Sequence, residues 1–145
     1  MMNRVTLQPS SRPREPRGPQ GRGLSPQRAA RALAVIRLVN GGAALFTPHA
    51  MARRFGVNPD VNPAAIHILR LFGVRTVVLG AELLLAGKAP RRELLTIGVG
   101  IHAADAAAAV AAGIRRELPA RGAIAGALIS SMNTALAIRS LRIYT

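Results

Sequence analysis

IHILRLFGVRTVVLGAELLLA, residues Ile66–Ala86, is an apolar run of membrane-spanning length that carries Arg70, Arg75 and Glu82 together with Gly73 and Gly80. A charge at the centre of a bilayer costs about 2.5–3.5 kcal/mol on insertion scales. A run that keeps three of them is expected to pair them with other helices or to lead them to the interfaces. Arg70 and Glu82 lie near opposite ends, where long side chains can snorkel. Arg75 lies in the middle and needs a partner.

Three further apolar stretches flank this one. Ser25-Pro26 is an N-cap followed by a proline at the first helical position, and it opens a helix through the run Ala29–Phe46, with Arg31 at its start and Arg37 inside. Eighteen residues at 1.5 Å each cover about 27 Å, just enough for a hydrocarbon core. Gly41-Gly42 weakens the end of that helix but permits close packing. Thr47-Pro48 repeats the cap-then-proline signal and opens a short amphipathic segment, His49–Phe55, whose Arg53, Arg54 and Phe55 suit the membrane interface. Gly56 is its expected terminator and Asn58-Pro59-Asp60 a turn. Asn62-Pro63 starts the second long helix and Gly87 ends it. Lys88–Glu93 reads as a tight polar connection. The third helix, Leu94–Ile114, contains Gly98, His102 and Asp105, and the fourth runs from about Arg121 to Leu141.

The expected fold is therefore all-α, a bundle of four transmembrane helices over residues 25–145. Residues 1–24, with prolines at 9, 13, 16 and 19, several arginines and few apolar residues, form a basic arm too polar to bury a core, expected to be disordered. The arm lacks the apolar segment of a secretory signal.

Composition narrows the function classes. Half the residues are hydrophobic, yet only 3% are aromatic and Trp is absent, which suits close helix packing on Ala and Gly. Without Cys there are no disulfides or thiolate ligands. The net charge of +14 suits nucleic acid or the cytoplasmic face of a membrane. Basic residues avoid the apolar stretches and crowd the gaps, which favours the membrane and argues against a nucleic-acid partner. Twelve lie in the arm with Arg31, the second connection and the C-terminus, against five at Arg53, Arg54, Arg115, Arg116 and Arg121. The positive-inside rule then places both termini in the cytoplasm, in a multi-pass protein of the plasma membrane. The arm is the expected contact with anionic lipid head groups.

With that topology Arg37, Arg75 and Asp105 each lie nine residues from the same boundary, about 13–14 Å deep. The expected centre is an ion pair between Arg75 and Asp105, with Arg37 and His102 beside it and Glu82 on the Arg75 face. The second and third helices are then antiparallel neighbours. Ser130, Asn133, Thr134 and Ala137 form a small polar stripe that can hydrogen-bond the cluster. The candidate polar cluster is thus Arg37, Arg75, Glu82, His102, Asp105 and Asn133.

The cluster reads as a structural clasp fixing helix register, or as a path for protons or small solutes through an oligomer. His49, His67 and His102 match no metal or haem spacing, and neither a nucleophile elbow nor a phosphate loop is present, so neither a cofactor nor an enzymatic activity is expected. The leading expectation is a structural or accessory component of a membrane complex, partnered by the bilayer and by copies of itself or another membrane protein. The competing one is a basic, soluble helical protein that binds nucleic acid.

Arg70-Leu-Phe-Gly-Val-Arg75 with Leu79-Gly80, and His102-Ala-Ala-Asp105-Ala106, resemble motifs of a family of small uncharacterised four-helix membrane proteins common in actinobacteria. The resemblance covers about residues 30–140 and extends to Arg54-Phe55-Gly56 with the turn that follows. It implies the membrane location and the four-helix bundle, and it brings no activity, substrate or cofactor. Thr76 stands where that family usually has an acidic residue, so a relay that used the acid would be missing here, whereas a clasp needs only Arg75 and Asp105.

Overall fold

A computed structural model describes residues 24–144. The arm expected over residues 1–24 lies, apart from Leu24, outside the described residues. The fold is all-α, with five helices among the described residues: α1 (Pro26–Phe46), α2 (Pro48–Phe55), α3 (Ala64–Leu85), α4 (Lys88–Ile114) and α5 (Ala120–Leu141). Three of them, α1, α4 and α5, are long and apolar enough to cross a membrane. The expected run in α3 forms a 22-residue helix.

Most helix ends follow the local chemistry. The Ser25 hydroxyl accepts from the Arg28 amide, and Pro26 takes the first helical position. Gly56 closes α2 in the left-handed region at φ 89°, and the Asp60 amide donates to Asn58 Oδ1 in the expected turn. Thr47 departs from its expected role: its hydroxyl donates backward to the Ala43 carbonyl, ending α1 rather than capping α2. Asn62-Pro63 likewise supplies no side-chain cap to α3.

The larger correction is at Lys88–Glu93, which is helix and not connection. Pro90 falls in the first turn of α4, where a backbone N–H has no intrahelical acceptor in any case, so the proline costs little. Only Ala86 and Gly87 separate α3 from α4. Arg91 seals the junction by donating to the Ala86 carbonyl at 2.7 Å and the Leu84 carbonyl at 3.4 Å, satisfying carbonyls at the end of α3.

Packing divides the bundle into two close pairs. α1 lies along α3, α4 lies along α5, and α1 meets α5 to join them. At the α1–α3 seam the backbones touch. A Cβ on Gly73 would stand 2.7 Å from the Gly41 carbonyl oxygen and from the Leu45 nitrogen, and one on Gly41 would stand 2.8 Å from the Val77 nitrogen. Gly41 thus performs the close-packing role expected of it, while Gly42 faces open space. α3 and α4 are antiparallel neighbours as expected, but they approach each other at few points. α4 instead uses its alanine-rich face and Gly113 against Ala123 and Gly126 of α5.

Arg139 donates to the Leu24 carbonyl, so the end of α5 sits beside the start of α1, while Arg121 Nη2 donates to the Arg53 carbonyl at 3.2 Å and ties the start of α5 to α2. The helices therefore run alternately up and down. At the end holding the start of α1 and the end of α5, Leu33, Ala34, Leu83, Leu95 and Ala137 form an apolar plug, extended by Val99, Leu136, Leu141 and Tyr144.

Candidate functional site

Above this plug the two pairs enclose a cavity of about 310 Å³. α2 covers it through Met51 and Phe55. Its polar wall is Arg37 and Asn40 of α1, Arg75 and Thr76 of α3, His102 and Asp105 of α4, and Ser130 and Asn133 of α5. Ile68, Leu69, Phe72, Leu79, Ile101, Gly126 and Ile129 complete the lining.

Arg37 is the centre of this site. It is only 1% exposed, the largest fully buried side chain among the described residues. Two glycines make room for it. A Cβ on Gly80 would lie 3.1 Å from the Arg37 Cβ, and one on Gly98 would lie 2.5 Å from Arg37 Nη2. The Leu79-Gly80 pair and Gly98 thus serve one purpose from opposite helices, and Leu79 adds its carbonyl as an acceptor for Arg37 Nη1 at 3.4 Å.

The main partner of Arg37 is His102. Arg37 Nε and Nη2 approach His102 Nε2 at 3.1 and 2.9 Å. A guanidinium only donates, so Nε2 must accept both bonds and the ring proton sits on Nδ1. That nitrogen lies 4.0 Å from Asp105 Oδ2, and the same oxygen is 3.4 Å from Arg75 Nη2. The four side chains form a continuous series, Arg37–His102–Asp105–Arg75, crossing from α1 through α4 to α3. The coincidence of depth seen in the sequence corresponds to this series.

The expected emphasis is reversed. Arg75 and Asp105 do meet, but at the rim, with side chains 50% and 33% exposed. They bridge the gap between α3 and α4 instead of lying in a packed interface, and the Arg75 guanidinium also stands 5.6 Å from the centre of the Phe72 ring. The buried element is the Arg37–His102 contact. Glu82, expected with them, is exposed and lines no part of the cavity. Asn133 is brought in as expected, only 5% exposed, and its Oδ1 is buried without a hydrogen-bond partner. On the same stripe Thr134 donates to the Ser130 carbonyl at 2.9 Å, bonding its own helix rather than the cluster.

No family model, curated protein or solved structure matches this chain. The family resemblance therefore rests on the quoted motifs. Thr76, the position at which the chain departs from them, is 7% exposed and faces the cavity.

Asn40 and Met51 belong to the site without having stood out in the sequence, and Phe55, expected at the membrane interface, lines the cavity instead. Asn40 is nearly one turn from Arg37 on α1, a spacing that puts both on one face and could have found it. Nothing in the sequence pointed Met51 or Phe55 to this cavity, because the fold of α2 over the bundle end sets their place. Among the described residues no group of three or more His, Asp or Glu side chains is placed to hold a metal ion.

Proposed function

We propose that this chain is a four-span protein of the plasma membrane, a structural or accessory part of a membrane complex, with both termini in the cytoplasm. One observation carries the reading: large apolar side chains cover the outside of the bundle, while charge and amide groups are buried within it. Val35, Val39, Ile68, Leu71, Val74, Val78, Ile97, Ile124 and Leu128 are all at least 49% exposed, while Arg37, His102 and Asn133 are at most 6% exposed. Water would favour the opposite distribution, whereas a bilayer solvates that outer surface and drives charge inward.

In this reading α3 is the fourth span. Its 22 residues would cover about 33 Å. Its outer face, including Leu71, Val74 and Val78, meets lipid, and its mid-depth Arg75 is answered by Asp105. The cluster then sets the register of α1, α3 and α4, and the protein carries out no reaction of its own. Kinship with the four-helix family it resembles belongs to the same proposal, as does a partner, either a second copy or another membrane protein.

Two measurements test it together. After an alkaline carbonate wash the chain is expected to stay with the lipid pellet. Cysteines introduced at Ala89 and Asp60 are expected to be labelled from opposite sides, Ala89 from the cytoplasm, because the twelve basic residues on its side outweigh the five on the other. Release into the supernatant would overturn the membrane reading in favour of a basic helical protein that binds nucleic acid. The reverse labelling pattern would invert the orientation.

A further inference from the structure

The charge at the cavity does not balance. Two guanidinium groups, Arg37 and Arg75, face it, and one carboxylate, Asp105, answers them. The other acidic residues among those described, Asp60, Glu82, Glu93 and Glu117, do not line it. An excess positive charge in a dry site is costly unless an anion joins it. The donors are also incomplete in their use. A guanidinium has five N–H groups. The bonds of Arg37 to His102 and to the Leu79 carbonyl occupy three, which leaves two N–H groups without an acceptor. The Asn133 amide, on the cavity wall formed by α5, has a buried oxygen with no partner. With the amide turned over, which exchanges oxygen for nitrogen, it becomes a donor to the same space.

The rest of the cavity is built for hydrocarbon. Leu69, Leu79, Ile101 and Ile129 wall it; Phe72, 37% exposed, stands at the rim against Arg75, and Ile68, 64% exposed, lies one turn further along α3. That rim lies where α3 and α4 fail to pack. Its volume is at the small end for a ligand pocket, about 300–1,000 Å³ being usual. One chain fits it more readily than two.

We propose that this cavity binds a single-chain amphiphile with one anionic head, a carboxylate or a phosphate, admitted from the bilayer between α3 and α4. The inference rests on the membrane reading for its route of entry. The head accepts the two spare Arg37 N–H groups, with Asn133 and Arg75 as further donors, and the first part of the chain lies along Leu69, Phe72 and Ile129. The bridge at the rim opens as the chain enters and leaves a portal held by one ion pair.

The test is equilibrium binding of radiolabelled oleate to the full chain in phosphatidylcholine nanodiscs, with empty nanodiscs subtracted. Saturable binding of about one oleate per chain is expected, with oleyl alcohol competing at least about tenfold more weakly because it lacks the charged head. Arg37→Gln is expected to weaken oleate about tenfold or more. Because Arg37 is buried and its variant can misfold, Ser130→Leu serves as the second probe: it fills the cavity, keeps every charge, and is expected to abolish saturable binding. Competition by lysophosphatidate at similar concentrations supports the site and identifies phosphate as an accepted head. Competition by inorganic phosphate as effective as by lysophosphatidate would overturn the amphiphile and leave a site for free anions. Equal binding of oleyl alcohol, or oleate binding unchanged in folded Ser130→Leu, would overturn the proposal. Recovery of the chain without detergent would sink the membrane reading separately. The same titration, run in buffer, then decides the cavity.

Discussion

The two faces of α3 are held in opposite ways. Toward α1 it lies backbone to backbone, because Gly41 and Gly73 bring the helices closer than any side chain allows. Toward α4 it is held at the cavity rim by the Arg75–Asp105 bridge, at 3.4 Å and partly exposed. The first seam derives from the dispersion of many close atoms and tolerates no added volume. Above the plug that Leu83 and Leu95 share and the junction that Arg91 seals, the second derives from one charge pair and tolerates opening at the rim. A helix with one rigid and one loose seam can remain anchored while its free side admits something from outside. The Arg37–His102 contact stands between them, as buried as the first seam and as polar as the second.

The largest effect is expected where the rigid seam is broken. Gly73→Val adds three carbons at a point where even a Cβ would come within 2.7 Å of backbone atoms that cannot rotate aside. Overpacking of this kind costs about 1–3 kcal/mol or more, and α1 and α3 must separate. Unfolding by sodium dodecyl sulfate titration in mixed micelles should show a loss beyond that range, about 4 kcal/mol, because the clash is with backbone. Val at Gly42, which faces open space, should have little effect by comparison. Equal effects at the two glycines would mean that the seam is not the close contact described.

An intermediate effect is expected at the centre. His102→Leu removes the acceptor of two Arg37 hydrogen bonds and leaves a buried guanidinium with only the Leu79 carbonyl. The cost is about 3 kcal/mol, and Arg37→Leu combined with His102→Leu should recover most of it, since no buried charge then remains. Additive losses in this double-mutant cycle would show that the two residues do not depend on each other.

The smallest effect is expected at the loose seam. A cycle of Arg75→Leu and Asp105→Leu should give a coupling of about 1 kcal/mol, the order usual for a partly exposed pair. A value as large as that of the Arg37–His102 cycle would mean that α3 and α4 close on each other in the bilayer, and the comparison would have to be redrawn.

The positions and ends of the helices were largely legible in the sequence, because they are set by local terms. Ser25-Pro26 and Gly56 act within one turn of chain, and the apolar runs announce their lengths directly. The failures at Lys88–Glu93 and Thr47 are also local. A proline in a first turn is compatible with a connection and with a helix start alike, and a threonine hydroxyl can bond forward or back. Arg37, Arg75, His102, Asp105 and Asn133 could be picked out because charge and amide groups are rare in apolar runs, and counting from the helix ends brought three of them to one depth.

Which of these residues would be buried, and against what, was not encoded in any one helix. Depth along the axis follows from residue number, but rotation and choice of neighbour follow from the packing of several surfaces at once. The small residues of α1 and α3 fit each other closely, as do those of α4 and α5, so α3 and α4 are left apart although only two residues join them. That partition moved Arg75 and Asp105 to a rim, drew Arg37 between Gly80 and Gly98, left Glu82 outside, and opened a cavity. The composition of the helices determined that charge would need shelter, and the competition among their faces for close contact decided where the shelter lies.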